Sequence, residues 1–350
     1  MKSRFVFIAF MLSLTAFWSG CDNKDNDHSM EELNIDFPAA YVVNGEENSL
    51  SVINLTTNKE EHHIEFKDAK FPHHIYLSPN KEFLAIAITA TDLSAGHGGG
   101  HSGGSGDYKV IILDAVKGTI HHEIKVPHVP HNAAFSPDGK ELWVGQMAEE
   151  GHILVFSTTD FKQLKEIPVG KSPSEITFAA NGSKAYAANT EDGTVSVIDP
   201  VAKTVITTLT VGTEPVGAWA GANSKMYVDN EGSKTVSEID VATNEVVSTI
   251  NLGFTPAYVA FNTKVKELWV SDTAGMVHFY TWDSATSTWK HGNMFNTGAD
   301  AHAIVFSNDE TKAYVSNQGG NTLSVLDVVT HTKIIDIAVG KKPNGIVLRY

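Results

Sequence analysis

The feature that most constrains the fold of this chain is a repeat of about forty residues that covers most of its length. Seven units begin at equivalent positions, which are Pro72, Pro130, Pro173, Pro215, Pro256, Ala301 and Pro343. The spacings between these positions are 58, 43, 42, 41, 45 and 42 residues. Each unit contains short apolar runs separated by turns such as Asn181-Gly182, where type I′ hairpins need positive φ. Four short strands every forty-odd residues is the period of propeller blades, and no helical periodicity is sustained here.

The two ends of the repeat region predict how the ring closes. The first unit, residues 41–66, supplies three strands, and the last segment, residues 345–350, supplies only an innermost strand. Joining them forms one blade and removes the exposed edges that an open ring would leave. The sequence therefore predicts an all-β, seven-bladed β-propeller over residues 37–350, with four antiparallel strands per blade. Residues 282–294 lengthen the outer hairpin of the sixth blade, so we expect irregular boundaries there.

Several short segments of the repeat share one sequence pattern. They are Y-V-V-N at Tyr41, A-Y-A-A-N at Ala185, M-Y-V-D-N at Met226, A-Y-V-S-N at Ala313, T-V-S-V-I-D at Thr194 and T-L-S-V-L-D at Thr322. From about residue 40 onwards this pattern resembles that of the YVTN-type β-propeller repeats. The resemblance implies a propeller but no single function, because propellers host binding, scaffolding and several chemistries. The Asp that closes each V-I-D segment is expected to cap the following turn.

The first twenty residues have the pattern of an export signal. Lys2 and Arg4 precede a short apolar run, and two small residues stand directly before Cys21. The apolar run is too short to span a bilayer comfortably. The pattern resembles a bacterial lipoprotein signal, in which the cysteine after the cut is lipidated. We therefore predict a signal peptide over residues 1–20 and a lipid on Cys21, with an ordinary cleaved signal as the alternative.

Residues 21–36 are predicted to form a flexible acidic tether. The segment D-N-K-D-N-D-H-S after Cys21 is polar and buries too little apolar surface to offset the entropy of ordering. An acidic stretch at this place resembles the export tag that puts some Gram-negative lipoproteins on the outer surface. The resemblance implies a protein anchored through its lipid in the bacterial outer membrane, at the cell surface. We expect the chain to be a monomer.

Charge and cysteine content exclude several classes of partner and site. The chain has 26 basic and 41 acidic residues, so its formal net charge is −15. Nucleic acid is excluded as a partner, because phosphate binding needs a basic surface, whereas cations are favoured. A single cysteine allows neither an intrachain disulfide nor a Cys-rich zinc site. The sequence also lacks a G-x-S-x-G elbow, an H-E-x-x-H motif, a P-loop and a G-x-G-x-x-G loop, so we predict no catalytic residues.

Sixteen histidines are present, and the repeat register predicts that some of them meet. The residues directly after the unit-opening positions are His73, His131, Ser174, Val216, Ala257, His302 and Asn344. Each opens the innermost strand of a blade, so the three histidines are expected to lie around the channel mouth. Imidazoles that converge from separate strands can bind zinc, copper or iron. The alternative is a hydrogen-bonded polar lining around buried channel water.

The longest insertion points to the same face. Residues 95–107 are glycine-rich and carry His97 and His101, which a mobile loop can bring over the mouth; an inert linker is the alternative. His74 and His128 are expected just outside the ligand set. The candidate ligands for copper or zinc are thus His73, His131, His302, His97, His101, His74 and His128.

Three functions remain open, and we rank them in this order. The first is a cell-envelope binding propeller that takes a divalent transition metal, or a small ligand through that metal. The second is a platform for a protein or glycan partner. The third is a metal-dependent, lactonase-like hydrolase, which needs a carboxylate beside the metal. The carboxylates expected near the mouth are Glu149, Glu150, Glu175, Glu214 and Asp300, and they follow no pattern.

Overall fold

Seven four-stranded antiparallel sheets make up residues 32–94 and 106–350, which are the residues that the computed structural model describes. We number the strands β1 to β28 in chain order and the blades 1 to 7, and give each blade from the channel outwards. Blade 1 contains β28 (Pro343–Arg349), β1 (Ala39–Asn44), β2 (Ser49–Asn54) and β3 (Lys59–Glu65). Blade 2 contains β4 (Pro72–Leu77), β5 (Phe83–Ile88), β6 (Lys109–Asp114) and β7 (Ile120–Lys125). Blade 3 contains β8 (Ala133–Phe135), β9 (Glu141–Gln146), β10 (His152–Ser157) and β11 (Gln163–Pro168).

The other four blades repeat this order. Blade 4 contains β12 (Pro173–Phe178), β13 (Ala185–Asn189), β14 (Thr194–Asp199) and β15 (Thr204–Thr210), with a 3-10 turn at Thr190–Asp192. Blade 5 contains β16 (Pro215–Gly221), β17 (Lys225–Asn230), β18 (Thr235–Asp240) and β19 (Glu245–Asn251). Blade 6 contains β20 (Pro256–Asn262), β21 (Glu267–Asp272), β22 (Met276–Asp283) and β23 (Thr288–Asn296). Blade 7 contains β24 (Ala301–Phe306), β25 (Lys312–Asn317), β26 (Thr322–Asp327) and β27 (Thr332–Ala338).

The ring is closed, as the repeat predicted. Strand β28 pairs antiparallel with β1, and the register sets Tyr41 opposite Val347. Each innermost strand also contacts the innermost strand of the next blade all the way round, including β28 with β4. The predicted all-β, seven-bladed propeller with one blade shared between its first and last strands is therefore confirmed.

The burial of the strands follows from their place in the blade. Middle strands such as β1 and β5 lie between neighbouring blades and are buried along nearly their whole length, which explains their continuous apolar sequences. The outermost strands have one solvated face, and β15 alternates between exposed and half-buried residues. The core is thus distributed between blades; Val42 of blade 1, for example, packs with Leu323 and Val325 of blade 7.

Polar side chains at repeated positions form hydrogen bonds within each of several blades. The buried Asn189 amide donates to the hydroxyls of Thr194 and Ser196 at 3.0 and 2.9 Å, and the same pattern recurs at Asn44, Asn230 and Asn317. Asp199 accepts the backbone N–H groups of the two residues at the next turn at 2.8 and 2.9 Å, as expected for a turn cap. These bonds explain why asparagine and aspartate recur at fixed positions of the repeat.

Parts of the prediction fall outside the described residues. The signal peptide, Cys21, His97 and His101 lie there, together with most of the predicted tether. Within the described residues, Leu33 contacts the propeller: its N–H donates to the carbonyl of Lys117 at 2.8 Å. Across residues 32–94 and 106–350 there is no helix with the length and apolar character that a membrane span requires.

Candidate metal centre

Four imidazoles are gathered at the start of the innermost strands. His73 and His74 are the second and third residues of β4, His131 lies two residues before β8, and His302 is the second residue of β24. All four are buried, with exposed fractions between 1% and 8%. The channel end where these strands begin is therefore lined by imidazoles from blades 2, 3 and 7.

Three of these residues form a cluster, which we call the histidine cluster: His73, His74 and His131. Their ring centroids are separated by 4.4 Å (His73–His131), 4.7 Å (His73–His74) and 4.9 Å (His74–His131). One ligand atom from each ring lies within 4.8 Å of the other two. Nitrogen atoms bound to one tetrahedral zinc are about 3.4 Å apart, given Zn–N bonds of about 2.0–2.1 Å.

His302 lies beside the cluster. Its ring centroid is 5.8 Å from that of His74 and 6.4 Å from that of His73. The repeat register placed His302 among the inner three and His74 outside them, whereas the structure brings His74 into the cluster and leaves His302 at its edge. A local feature lets His74 join His73: the pairing of β4 with β5 shifts register between Pro72 and Ile75. Such a bulge breaks the alternation of side chains, so consecutive residues can face the same way.

A buried carboxylate completes the arrangement. Glu175 is fully buried, and its Oε1 atom lies 3.3 Å from Nδ1 of His74 and 3.2 Å from Nδ1 of His131. The Tyr76 hydroxyl donates to its Oε2 atom at 3.3 Å. Burial and the negative charge of Asp229 raise the pKa of Glu175 well above its ordinary value, although hydrogen bonds from Tyr76 and Asn132 oppose this.

Glu175 occupies the same position of its repeat unit as His74 does, which is the sequence signal for its place in the site. Glu175 is the second residue after the unit-opening Pro173, and His74 is the second residue after Pro72. Strand β12 also shifts register at this point, between Pro173 and Ile176, as β4 does. The same position of two blades therefore supplies an imidazole and the carboxylate that contacts it.

Aromatic side chains lie next to His74. Trp219 packs against Tyr258 with ring centroids 3.9 Å apart, and its centroid is 6.1 Å from that of His74. The Trp219 indole N–H donates to Asp229 at 2.6 Å, which fixes the ring. Burial raises the pKa values of Tyr76 and Tyr258, so both hydroxyls stay protonated. A cavity of about 210 Å³ adjoins the cluster and is lined by His74, Tyr76 and Tyr258, among others.

The remaining predicted ligands are placed elsewhere or outside the described residues. His128 is exposed, and its backbone N–H donates to the Gln146 side chain at 3.1 Å. It lines a separate groove with His152 and Glu166, so the structure does not bring it to the cluster. His97 and His101 lie in the part of the loop that is not described. The histidine cluster is the one group of three or more metal-ligating side chains among residues 32–94 and 106–350.

Fold and site together define a closed seven-bladed β-propeller with buried imidazoles at one end of its channel. No protein-family model matches the sequence, and no curated protein matches it. Among solved structures it is similar to a functionally unknown protein from Desulfotomaculum acetoxidans, with a TM-score of 0.73, 10% identity, and coverage of 89% of this chain and 99% of that one.

Two further similar structures have named functions. The periplasmic gluconolactonase of Pseudomonas aeruginosa gives a TM-score of 0.72 at 15% identity, with coverage of 89% of this chain and 99% of that one. Hydrazine synthase of Kuenenia stuttgartiensis gives 0.63 at 19% identity, with coverage of 78% and 88%. At these identities the likeness shows the propeller fold alone, and the function has to be argued from the site.

Proposed function

We propose that this chain is a binding propeller that takes up a divalent transition metal, copper or zinc, at the histidine cluster. The observation that carries the proposal is that His73, His74 and His131 are buried and offer three ligand atoms within 4.8 Å of one another. Imidazole suits both metals, and the cluster contains no thiolate that would favour softer ions. His302 is the candidate for a fourth ligand, and a small molecule bound through the metal would enter from the channel.

Glu175 would orient two of the ligands. Its Oε1 atom lies within ion-pair distance of Nδ1 of His74 and His131, at 3.3 and 3.2 Å, and it would accept both N–H groups if the two rings are protonated at Nδ1. That tautomer leaves both Nε2 atoms to donate to the metal, which is the usual carboxylate–histidine–metal arrangement. A carboxylate next to the ligands would also offset part of the ion's charge in a buried site.

The cellular setting is part of the same proposal. A lipid on Cys21 would anchor a monomeric propeller in the bacterial outer membrane, with the described residues at the cell surface. The support comes from the small residues before Cys21, the acidic segment that follows, and a net charge of −15 that favours cations over anions.

Calorimetric titration of the mature protein, purified without added metal, tests the metal site. We expect tight binding of Cu²⁺ or Zn²⁺ with one ion per chain. The variant His73→Ala/His74→Ala/His131→Ala should lose it. A matched control replaces three exposed histidines of outer strands, His63, His121 and His122, by alanine and should bind like the parent. If the cluster variant binds as tightly as the parent, the site lies elsewhere and the cluster is only channel lining.

A second candidate function is hydrolysis of a sugar lactone. It is favoured by one observation, the buried carboxylate of Glu175 directly beside two candidate ligands, which could act as general base toward a metal-bound water. The likeness to a gluconolactonase gives the substrate to try. We rank this function lower because Glu175 is already engaged by two imidazoles and by Tyr76. Hydrolysis of glucono-1,5-lactone that is abolished in Glu175→Gln would support it, and no metal-dependent activity would exclude it.

A further inference from the structure

The junction between blades 5 and 6 differs from three other junctions of the ring. At those three junctions the turn between the two outer strands of a blade reaches the start of the second strand of the preceding blade. The turn residue has positive φ in each case, and the pairs are Lys203 with Glu141 at 2.7 Å, Asn244 with Lys184 at 2.6 Å, and His331 with Glu267 at 2.9 Å. Each pair links two neighbouring blades on the face that carries these turns.

The equivalent pair between blades 5 and 6 is not made. The two positions are held by Ser287, which has φ 53°, and Lys225. The serine hydroxyl is short, and Lys225 instead pairs within its own blade with Asp240 at 2.7 Å. Both residues line an open groove of about 760 Å³, which is in the size range of small-ligand sites, about 300–1,000 Å³. The groove thus lies at a junction that lacks the polar pair made at the three junctions above.

The lengthened hairpin of blade 6 supplies an aromatic wall to this groove. Strands β22 and β23 have eight and nine residues and carry Trp282 and Trp289, whose ring centroids are 5.6 Å apart at an interplanar angle of 68°. The Trp289 indole N–H donates to Glu238 of blade 5 at 2.8 Å, so that ring is fixed in place. The Trp282 side chain is 45% exposed, and a large apolar surface at the edge of a groove marks an interaction site.

Charge at the rim selects the kind of ligand. Lys266 lines the groove, is exposed, and forms no ion pair within residues 32–94 and 106–350. It offers a free positive charge on a chain whose net charge is −15. Asn223, Lys225 and Glu238 add hydrogen-bonding groups beside the indole rings. A ligand whose ring has an apolar face, several hydroxyls and a negative group would match the indole rings, the hydrogen-bonding groups and the charge of Lys266.

We propose that the groove, defined by Trp282, Trp289, Lys225, Lys266 and Ser287, binds an acidic saccharide. A sugar ring stacks on Trp282, and its carboxylate pairs with Lys266. The site is independent of the metal proposal. The groove is formed by turns on the face opposite to the one where the innermost strands and the histidine cluster begin.

Titration of the full protein with trigalacturonic acid, in the presence of a chelator, tests this site. We expect binding that weakens about tenfold in Trp282→Ala and in Lys266→Gln, as loss of one stacking or charged contact predicts. Ser287→Glu should pair with Lys225, as the equivalent residues do at the three junctions above, which raises the melting temperature and abolishes binding. Leu164→Ala, at an exposed position of β11 outside the groove, is the control and should bind like the parent.

Three results would overturn the proposal. No binding at millimolar concentration would exclude the site. Equal binding of the parent, Trp282→Ala and Ser287→Glu would place the sugar elsewhere. Equal affinity for the neutral sugar maltotriose would refute the acidic class. If Trp282→Ala melts at a lower temperature than the parent, its binding result is set aside, and the Lys266→Gln and Ser287→Glu variants test whether the groove binds the sugar.

Discussion

A single added methyl group at Gly345 should disturb both the closure of the ring and the histidine cluster. A Cβ atom at this position of β28 would lie 2.9 Å from the Ile75 nitrogen, 3.0 Å from the His73 carbonyl oxygen and 3.0 Å from the His74 Cα. All three are backbone atoms of β4, so none of them can swing aside. In Gly345→Ala we therefore expect β4 to move away from β28 by about 0.5 Å, taking the two imidazoles with it.

The size of the effect can be worked out from this contact. Overpacking of a tight interior costs about 1–3 kcal/mol, which corresponds to a fall in Tm of roughly 2–10 °C for a domain of this size. Displaced ligands should lower the affinity for Cu²⁺ or Zn²⁺ by roughly tenfold. Differential scanning calorimetry gives the first quantity, and metal titration gives the second.

Gly45 provides a matched control at the same end of blade 1. A Cβ atom there would meet the Pro72 and Lys342 carbonyl oxygens at 3.4 and 3.5 Å, which is ordinary contact. Gly45→Ala should therefore leave metal affinity unchanged and leave Tm unchanged or slightly raised. If Gly345→Ala melts and binds metal like Gly45→Ala, the position of β4 is not set by its contact with β28, and the reasoning fails.

Four further predictions follow from the site and the fold. Glu175→Gln should weaken metal binding by about 10–100-fold in calorimetry, because an amide holds the imidazole N–H groups less strongly; unchanged affinity would remove Glu175 from the site. Metal binding should weaken as the pH falls below about 6.5, because the ligands must be neutral imidazoles, and a flat pH profile would argue against them. Removal of residues 343–350 deletes β28 and exposes the edge of β1, so cooperative melting followed by circular dichroism should be lost; a truncated chain that melts like the parent would show another mode of closure. Cys21→Ala should release the protein from membranes, and unchanged fractionation would contradict the lipid anchor.

Fold prediction succeeded because the repeat is a one-dimensional signal. The spacing of the seven unit-opening residues gives the number of blades, and the missing strands at the two ends of the repeat region identify the blade that closes the ring. The recurrent Asn189-type and Asp199-type side chains also form the bonds that their positions suggest. Local sequence determines the number of blades, the closing blade and these hydrogen bonds.

The details of the site depended on features that a repeat alignment cannot show. Alternation along a strand points His74 away from His73, but the bulge at the start of β4 overrides it. Glu175 stands out only when its register is compared with that of His74 two blades away. The groove at Ser287 depends on whether one side chain reaches the neighbouring blade, which requires distances between blades.

Sharing one blade between the first and last strands of the ring also determines when the propeller can be completed during synthesis. Blades 2 to 7 are consecutive hairpins, so each can pair its own strands as soon as it leaves the ribosome. Strand β1 is made first and must keep an unpaired edge until β28 emerges after all the other strands, an interval during which it can pair with another copy. Since β28 also packs against β4, the surroundings of His73 and His74 become complete in that same last step.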